Sequence, residues 1–422
     1  MTLLALVSLY GVGRLAVVSY GSYLFVERQP YLQMQTQNSI LIKWQSDAKE
    51  IGCVVYGDDK KVCEDTPTSY HHITLKDLKP STRYNYKVLS ASMNIDNANR
   101  HFETLYANSL NEQLIWVIGD SGKLCKAQDN VYQSMLHVKG DKELNLWLLL
   151  GDNAYRSGTQ EQFNASLFEP YKEIVKTLVP WAINGNHDAR RWAMYDIFEF
   201  PQNGESGGLA SGSEEYYAIE SGNVHIVMLD SEQADTSKDS KMAQWLEKDL
   251  AQVKKPWIIA VFHHPPYSVG SHKSDNARDS WGRMTRVREN IIPILEKHGV
   301  DLVLSGHSHG YERSKLMRKH YGTSDTFNPQ EHLISNADHN YCKSPQKSAF
   351  DGAIYNVIGS SSKADRASYK HPALPFSSRT LGSLLLHVCP TKLHVDFIDD
   401  KDQIVDTYTI DKSCTDTIRR EK

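Results

Sequence analysis

The sequence predicts a layered α/β domain preceded by a smaller all-β domain. Five short apolar runs, each continuous enough for a strand buried on both faces, are spread over residues 114–304. Amphipathic stretches such as residues 242–253 and 287–297 lie between them and have the spacing of helices packed on a sheet. Strands and helices that alternate in this way are typical of layered α/β folds. The 422 residues also exceed the usual size of one compact core, which favours two domains.

Residues 27–105 have a different pattern, with no helical period. Short alternating stretches such as residues 39–44 and 69–75 are separated by turn residues, which predicts an all-β domain. The larger domain is expected over residues 112–412. Its last part, residues 384–410, contains three strand-like stretches with hairpin turns, and we expect these strands at the edge of that domain.

Each of the five apolar runs is followed at once by a block of polar residue types. The runs cover residues 114–118, 146–150, 181–183, 258–262 and 302–304. The blocks are Gly119-Asp120-Ser121-Gly122, Gly151-Asp152-Asn153-Ala154-Tyr155, Gly185-Asn186-His187-Asp188, His263-His264-Pro265 and Gly306-His307-Ser308-His309. Because open α/β sheets build their sites at the carboxyl ends of strands, we expect the five blocks to lie together.

The blocks supply the donor types of a metal site. Two aspartates, a phenol, an asparagine amide and several imidazoles are hard or borderline ligands, which suit iron, manganese and zinc. Six or seven such ligands exceed what one catalytic ion takes, but they fit two ions about 3.5–4 Å apart. A single Gly-Asp pair would more often be a turn or a helix cap, so the prediction depends on the whole set.

This set of blocks resembles the purple acid phosphatases, a branch of the calcineurin-like metallophosphoesterases. The likeness extends from about residue 27 to the C-terminal strands. Most relatives carry Asp-x-His in the first block, whereas here Gly122 replaces that histidine and Tyr155 follows Asp152 by three residues. The resemblance implies a four-layer αββα metallophosphoesterase sandwich. It also implies a fibronectin type III-like or Ig-like domain in front, whose Leu-x-Pro-x-Thr-x-Tyr-x-Tyr corner matches residues 78–86.

The resemblance further implies two metal positions bridged by one carboxylate, that of Asp152. An Fe(III)-type ion, favoured by a tyrosinate ligand, would be held by Asp120, Asp152, Tyr155 and His309. A divalent partner, which is zinc, iron or manganese, would be held by Asp152, Asn186, His263 and His307.

The fourth block leaves two registers open. If the block follows a Val-x-x-His pattern that begins at Val261, the ligand is His264. His263 instead keeps the family's His-x-Pro-x-aromatic pattern through Pro265, and it leaves His272 nine residues downstream, where the family places a substrate-binding histidine. We therefore predict His263 as the ligand, with His264 and His272 close to the substrate.

His187 is the other predicted catalytic residue, because the family's histidine in this block hydrogen-bonds the phosphate and protonates the leaving oxygen. His272 would share that work. The alternative is that His187 only orients its neighbours, as partners of metal ligands often do. Asp188 departs from the more usual glutamate of this block.

The function implied is hydrolysis of phosphate monoesters by a metal-bound hydroxide, with no protein nucleophile. One alternative is a phosphodiesterase or nucleotide hydrolase with the same metal site. Another is a non-catalytic surface binding protein, which the loss of a ligand would indicate, but none of the seven is missing.

The net charge and the N-terminal sequence limit the partners and the location expected for the protein. The 47 lysines and arginines against 51 acidic residues give a formal net charge of −4 without a basic stripe, so we expect a small phosphorylated substrate and no nucleic acid. Residues 1–26 are apolar apart from Arg14 and a few small polar groups, which predicts an export signal or a membrane anchor. The protein is therefore expected to be secreted, periplasmic or anchored facing outside. The oligomeric state is left open.

Six cysteines, none in Cys-x-x-Cys spacing, favour disulfides in an oxidising compartment over thiols in a reducing one. The pairs expected from position are Cys53 with Cys63 across a hairpin, Cys389 with Cys414 near the C-terminal strands, and Cys125 with Cys342 as the remainder.

Overall fold

The computed structural model of the chain describes residues 25–188, 192–365 and 370–414. None of the helices within these ranges is long and apolar enough to cross a membrane. The predicted signal or anchor in residues 1–26 falls almost entirely outside the described residues.

The N-terminal part consists of two antiparallel sheets. Their strands are β1 (Arg28–Gln33), β2 (Ile40–Glu50), β3 (Cys53–Tyr56), β4 (Lys60–Cys63), β5 (Thr68–Leu75), β6 (Arg83–Leu89) and β7 (His101–Glu103). The sheet orders are β1-β2-β5 and β4-β3-β6-β7. The Lys79 N–H donates to Tyr84 Oη at 2.9 Å and fixes the corner before β6. The all-β character predicted for this part of the chain is confirmed.

Two mixed sheets form the larger part. Their strands are β8 (Gln113–Ile118), β9 (Leu146–Leu149), β10 (Pro180–Ala182), β11 (Tyr216–Ser221), β12 (Val224–Leu229), β13 (Trp257–Phe262), β14 (Leu302–Ser305), β15 (Tyr311–Arg313), β16 (Asn340–Cys342), β17 (Ile354–Ile358), β18 (Phe376–Ser378), β19 (Gly382–Val388), β20 (Lys392–Asp399) and β21 (Ile404–Asp411). Among the described residues the first sheet has the order β10-β9-β8-β19-β20-β21-β16 and the second β11-β12-β13-β14-β17-β15-β18.

Helices cover the outer faces of both sheets. The α-helices are α1 (Lys126–Lys139), α2 (Gln160–Phe163), α3 (Trp192–Ile197), α4 (Lys241–Leu250), α5 (Arg283–Arg286), α6 (Ile292–Lys297) and α7 (Pro329–His332). A π-helical turn, Val287–Ile291, joins α5 to α6, and another, Asn164–Phe168, continues α2. Short 3₁₀ turns lie at Asp279–Gly282 and Ser324–Thr326.

The alternation of side chains along the strands produces four layers. In β13, Ile259 and Val261 lie in the core between the two sheets, while Ile258 and Phe262 pack with α4 and α6 in a second core. On the other side Tyr132 of α1 stacks on Trp116 of β8, with 5.6 Å between ring centroids. The order helix, sheet, sheet, helix is the αββα sandwich expected from the sequence.

The C-terminal strands differ from the prediction in their position. They are antiparallel, as expected, but β19 pairs directly with β8 in the middle of the first sheet, and β16 and β10 form its edges. The reason is their composition, because Leu384, Leu385 and Leu386 are buried on both faces and an edge strand would expose part of this run.

Two disulfides are present, and only one matches the prediction. Cys53 and Cys63 lie opposite each other in the β3–β4 hairpin and are bonded. The other pairs predicted are wrong, because β16 runs parallel to the end of β21 and brings Cys342 to Cys414. Cys125 and Cys389 are free thiols.

We expect thiol counting under denaturing, non-reducing conditions to find two free cysteines per chain. Replacing Cys125 or Cys389 with serine should remove one, whereas Cys53→Ser should add one by releasing Cys63. Six free thiols in protein from its native host would contradict both disulfides and the oxidising compartment.

Candidate metal centre

The five polar blocks follow the carboxyl ends of parallel strands from both sheets. In the first sheet β8, β9 and β10 run parallel and lead to Asp120, Asp152 and Asn186. In the second sheet β13 and β14 run parallel and lead to His263 and His307. The five buried strands predicted from the apolar runs are confirmed, and their ends meet at one edge of the sandwich.

Glycines allow the blocks to approach closely. A Cβ at Gly122 would lie 2.2 Å from the carbonyl carbon of Asn153, and one at Gly185 would lie 2.1 Å from the amide nitrogen of Asp152. Asp120 and Asp152 both adopt φ of 53°, in the left-handed region that non-glycine residues rarely occupy. The turns therefore direct both carboxylates to the same point at a cost in backbone strain.

One set of donors, the tyrosine group, consists of Asp120, Asp152, Tyr155 and His309. Tyr155 Oη lies 3.0 Å from Asp152 Oδ2, 3.2 Å from Asp120 Oδ1 and 3.3 Å from His309 Nε2. His309 Nδ1 lies 2.9 Å from Asp365 Oδ2, and because an ionised carboxylate only accepts, Nδ1 carries a proton and Nε2 is the nitrogen left to bind a cation. Burial and the two carboxylates raise the pKa of Tyr155 well above its usual value.

The second set, the histidine group, consists of Asp152, Asn186, His263 and His307. Asn186 Oδ1 lies 2.8 Å from His307 Nδ1 and 3.2 Å from His263 Nε2, which is 3.5 Å from Asp152 Oδ1. His263 Nδ1 donates to the Leu150 carbonyl at 2.8 Å, so Nε2 is the nitrogen left to bind a cation. Burial and the neighbouring His264 hold the pKa of His307 well below its usual value, which keeps this imidazole neutral.

The donors of the two groups fit a pair of cations. Asp152 belongs to both, with Oδ2 facing Tyr155 and Oδ1 facing His263. Carboxylate oxygens and an imidazole nitrogen converge in each group, joined by the phenol of Tyr155 in one and by the Asn186 amide oxygen in the other, and a cation between such donors is favourable. The side chains of Asp120, Asp152 and His263 are buried almost completely, so solvent offers little screening.

His263 and His264 have different partners in the structure. His264 is 1% exposed, and its Nδ1 lies 2.9 Å from Ser231 Oγ, with Nε2 3.6 Å from Glu232 Oε2. Burial and the adjacent His263 lower the pKa of His264 well below its usual value. His263 alone enters the donor set, and the structure gives no support to the predicted contact of His264 with substrate.

His187 and His272 lie on the more open side of the site. His187 Nδ1 lies 2.9 Å from the Arg156 carbonyl, and the His187 ring is 4.6 Å from that of Tyr155. His272 stacks on His307 with 3.8 Å between centroids, and its Nδ1 lies 2.8 Å from Asp279 Oδ1. Each imidazole uses Nδ1 for an acceptor within the protein, which leaves Nε2 for a ligand.

Four residues that support the site were missed or given no role from sequence. Asp365 orients His309, Asp279 orients His272, and Ser280 Oγ lies 2.6 Å from His307 Nε2. Asp188 accepts from the backbone N–H groups of Asn153, Ala154 and Gly185 and so joins the second and third blocks. Burial and the nearby Asp152 raise the pKa of Asp188 to about 8. Only Asp188 could have been found from its place in a block, because the other three lie in loops without a repeating pattern.

Comparison with known proteins agrees with this geometry. Residues 114–311 match the calcineurin-like phosphoesterase family. The chain is 31% identical over 279 residues to purple acid phosphatase 15 of Arabidopsis thaliana, covering 58% of this chain and 49% of that protein. It is 26% identical over 333 residues to purple acid phosphatase 21 of the same plant, covering 71% of this chain and 69% of that protein.

A solved structure of purple acid phosphatase PPD1 from yellow lupin seeds superposes with a TM-score of 0.69 at 18% identity, covering 90% of this chain and 74% of that one. Residues 114–311 are therefore similar in sequence to the calcineurin-like phosphoesterases, and the predicted fold class is confirmed. Within that family the relatives named here are purple acid phosphatases, as the sequence motifs indicated. The chain spans about half the length, 49%, of the first of them.

Proposed function

We propose that the protein is a dinuclear-metal hydrolase of phosphate monoesters, of the acid phosphatase type. The observation that carries the proposal is the convergence of the tyrosine group and the histidine group on the shared carboxylate of Asp152. Fe(III) would occupy the tyrosine group, and zinc, iron or manganese the histidine group. A metal pair held there would neutralise phosphate oxygens and lower the pKa of a bound water toward neutrality.

The protein's own residues would orient the ester and move its proton. The free Nε2 atoms of His187 and His272 are positioned to hydrogen-bond phosphate oxygens, and a protonated imidazole can give its proton to the leaving oxygen. Asp279 keeps the His272 ring in one orientation through its 2.8 Å bond to Nδ1. No serine, cysteine or threonine nucleophile is needed in this scheme.

The test is the rate of the metal-loaded protein on an aryl phosphate and on the corresponding bis-ester. We expect faster hydrolysis of the monoester. Faster hydrolysis of the bis-ester would move the protein to the phosphodiesterases, and no hydrolysis of either by protein with two bound metals would favour a non-catalytic binding protein.

Two variants at neighbouring positions test which histidine of the fourth block is the metal ligand. His263→Ala should lose the divalent ion, because it removes a nitrogen donor that faces Asn186 and Asp152. His264→Ala, the matched control, should keep both metals. Metal content per chain, measured after dialysis, distinguishes them, and the opposite result would make His264 the ligand.

We also propose that residues 27–105 form a fibronectin type III-like domain and residues 112–412 the catalytic domain. The division into sheets of three and four strands, together with the Tyr84 corner, supports the first. The two disulfides support export of the protein, either secreted or anchored through residues 1–26.

A further inference from the structure

Trp281 is 85% exposed, the highest value among the exposed large hydrophobic side chains of the described residues. The other tryptophans whose side chains are described are all buried, namely Trp44, Trp116, Trp147, Trp181, Trp245 and Trp257. A single exposed apolar residue is common on protein surfaces, so exposure alone indicates nothing. Trp281 is distinguished by its position beside the site and by its backbone conformation.

Trp281 belongs to the loop that contacts the site. The residue before it, Ser280, places Oγ 2.6 Å from His307 Nε2, and Asp279 accepts from His272 Nδ1 at 2.8 Å. Consecutive Cα atoms are about 3.8 Å apart, so the Cα atom of Trp281 lies at that distance from the Cα atom of Ser280, which contacts the histidine group. The attachment point of the indole is therefore close to the place where the leaving group of an ester bound at the histidine group would lie.

The backbone that presents Trp281 is an unusual one. Ser280 has φ of 52° and Trp281 φ of 57°, two successive non-glycine residues in the left-handed region. Side chains of the following helix hold this conformation, since Arg283 Nη1 donates to the Ser280 carbonyl at 3.2 Å and Arg286 Nη1 to that of Trp281 at 3.0 Å. A strained backbone that is held by specific contacts beside a site indicates a functional role.

We propose that Trp281 is a stacking platform for the leaving group of the substrate, so that the preferred esters carry a planar π system, either an aryl group or a nucleobase. The inference rests on the proposed phosphatase function and adds the substrate class to it. An exposed indole has a free face on which any planar ring can stack without directional hydrogen bonds.

The first experiment compares four monoesters: 4-nitrophenyl phosphate and AMP, which have planar rings, and glycerol 2-phosphate and ribose 5-phosphate, which have none. Trp281→Ala should raise KM about tenfold for the first two, within the range measured for base–aromatic stacking, and leave KM for the other two unchanged. Trp281→Phe should restore most of the affinity. Tyr70→Ala, which removes a 53% exposed aromatic ring from β5, is the control.

Each variant is compared with wild type on the same ester, so differences in leaving-group reactivity cancel. A change for AMP alone assigns the platform to nucleobases, and a change for 4-nitrophenyl phosphate alone assigns it to small aryl groups. An equal change for all four esters, or no change for any, would overturn the proposal.

A binding experiment separates this inference from the proposed function. Adenosine carries no ester, so it reports stacking independently of hydrolysis, and its titration should quench tryptophan fluorescence saturably in wild type and not in Trp281→Phe. If wild type hydrolyses none of the four esters, the phosphatase proposal fails and this titration alone decides the platform. Equal quenching in both proteins, or none in either, would reject a platform for nucleobases.

Discussion

Asp152→Asn is expected to lower bound metal and to reduce hydrolysis of an aryl phosphate by about a thousandfold or more, since metal ions contribute several kcal/mol of charge stabilisation to such reactions. The carboxylate faces both donor groups, with Oδ2 3.0 Å from Tyr155 Oη and Oδ1 3.5 Å from His263 Nε2. An amide has nearly the same shape but loses the negative charge, and its nitrogen cannot be a ligand. The single substitution is therefore expected to weaken both metal positions.

Metal content per chain and turnover are measured together, with circular dichroism to verify that the variant is folded. Asp47→Asn is the matched control, because the same substitution is made on an exposed part of β2. Two bound metals with wild-type turnover in Asp152→Asn would reject the proposed bridge.

The strands that were predicted are those whose own sequence carries a recognisable pattern. β8, β9, β13 and β14 were predicted because strands buried on both faces require continuous apolar runs, and a polar block marked where each strand ends. The central position of β19 fits its apolar composition, but its pairing with β8 was not predicted, because composition does not identify the neighbouring strand.

The disulfides show the same limit. Cys53 and Cys63 are partners within one hairpin, and the turn between them is visible in the sequence. Cys342 and Cys414 are 72 residues apart and meet only because the short β16 joins the far edge of a sheet. A three-residue edge strand carries too little pattern to be placed from sequence.

At the site, the residues predicted as ligands lie in five short blocks, whereas their supporting residues are scattered. Asp365 lies 56 positions after His309 in the sequence. Asp279 lies in the irregular segment that also contains His272. The blocks were recognisable because metal ligands require particular donor types at turns. A supporting carboxylate requires only proximity, which a loop sequence does not encode in a repeating pattern.

Tyr155 separates the purple acid phosphatase assignment from the wider family. A phenolate bound to Fe(III) gives a charge-transfer band in the visible, whereas zinc and manganese(II) are poor electron acceptors and give none. We expect the oxidised, iron-loaded protein to be pink to purple and Tyr155→Phe to lose that colour. Tyr70→Phe, which removes an exposed hydroxyl on β5, should keep it.

The loss of colour should exceed the loss of metal, because Tyr155→Phe leaves Asp120, Asp152 and His309 in the tyrosine group. The phenol is also held at a raised pKa by burial and by Asp120 and Asp152, so its ionisation near neutral pH requires a bound cation. Absorption spectra and iron content of the two variants, measured on the same preparations, test this. A colourless wild type with stoichiometric ferric iron would show that Tyr155 is not coordinated, and the assignment would then return to calcineurin-like phosphoesterases in general.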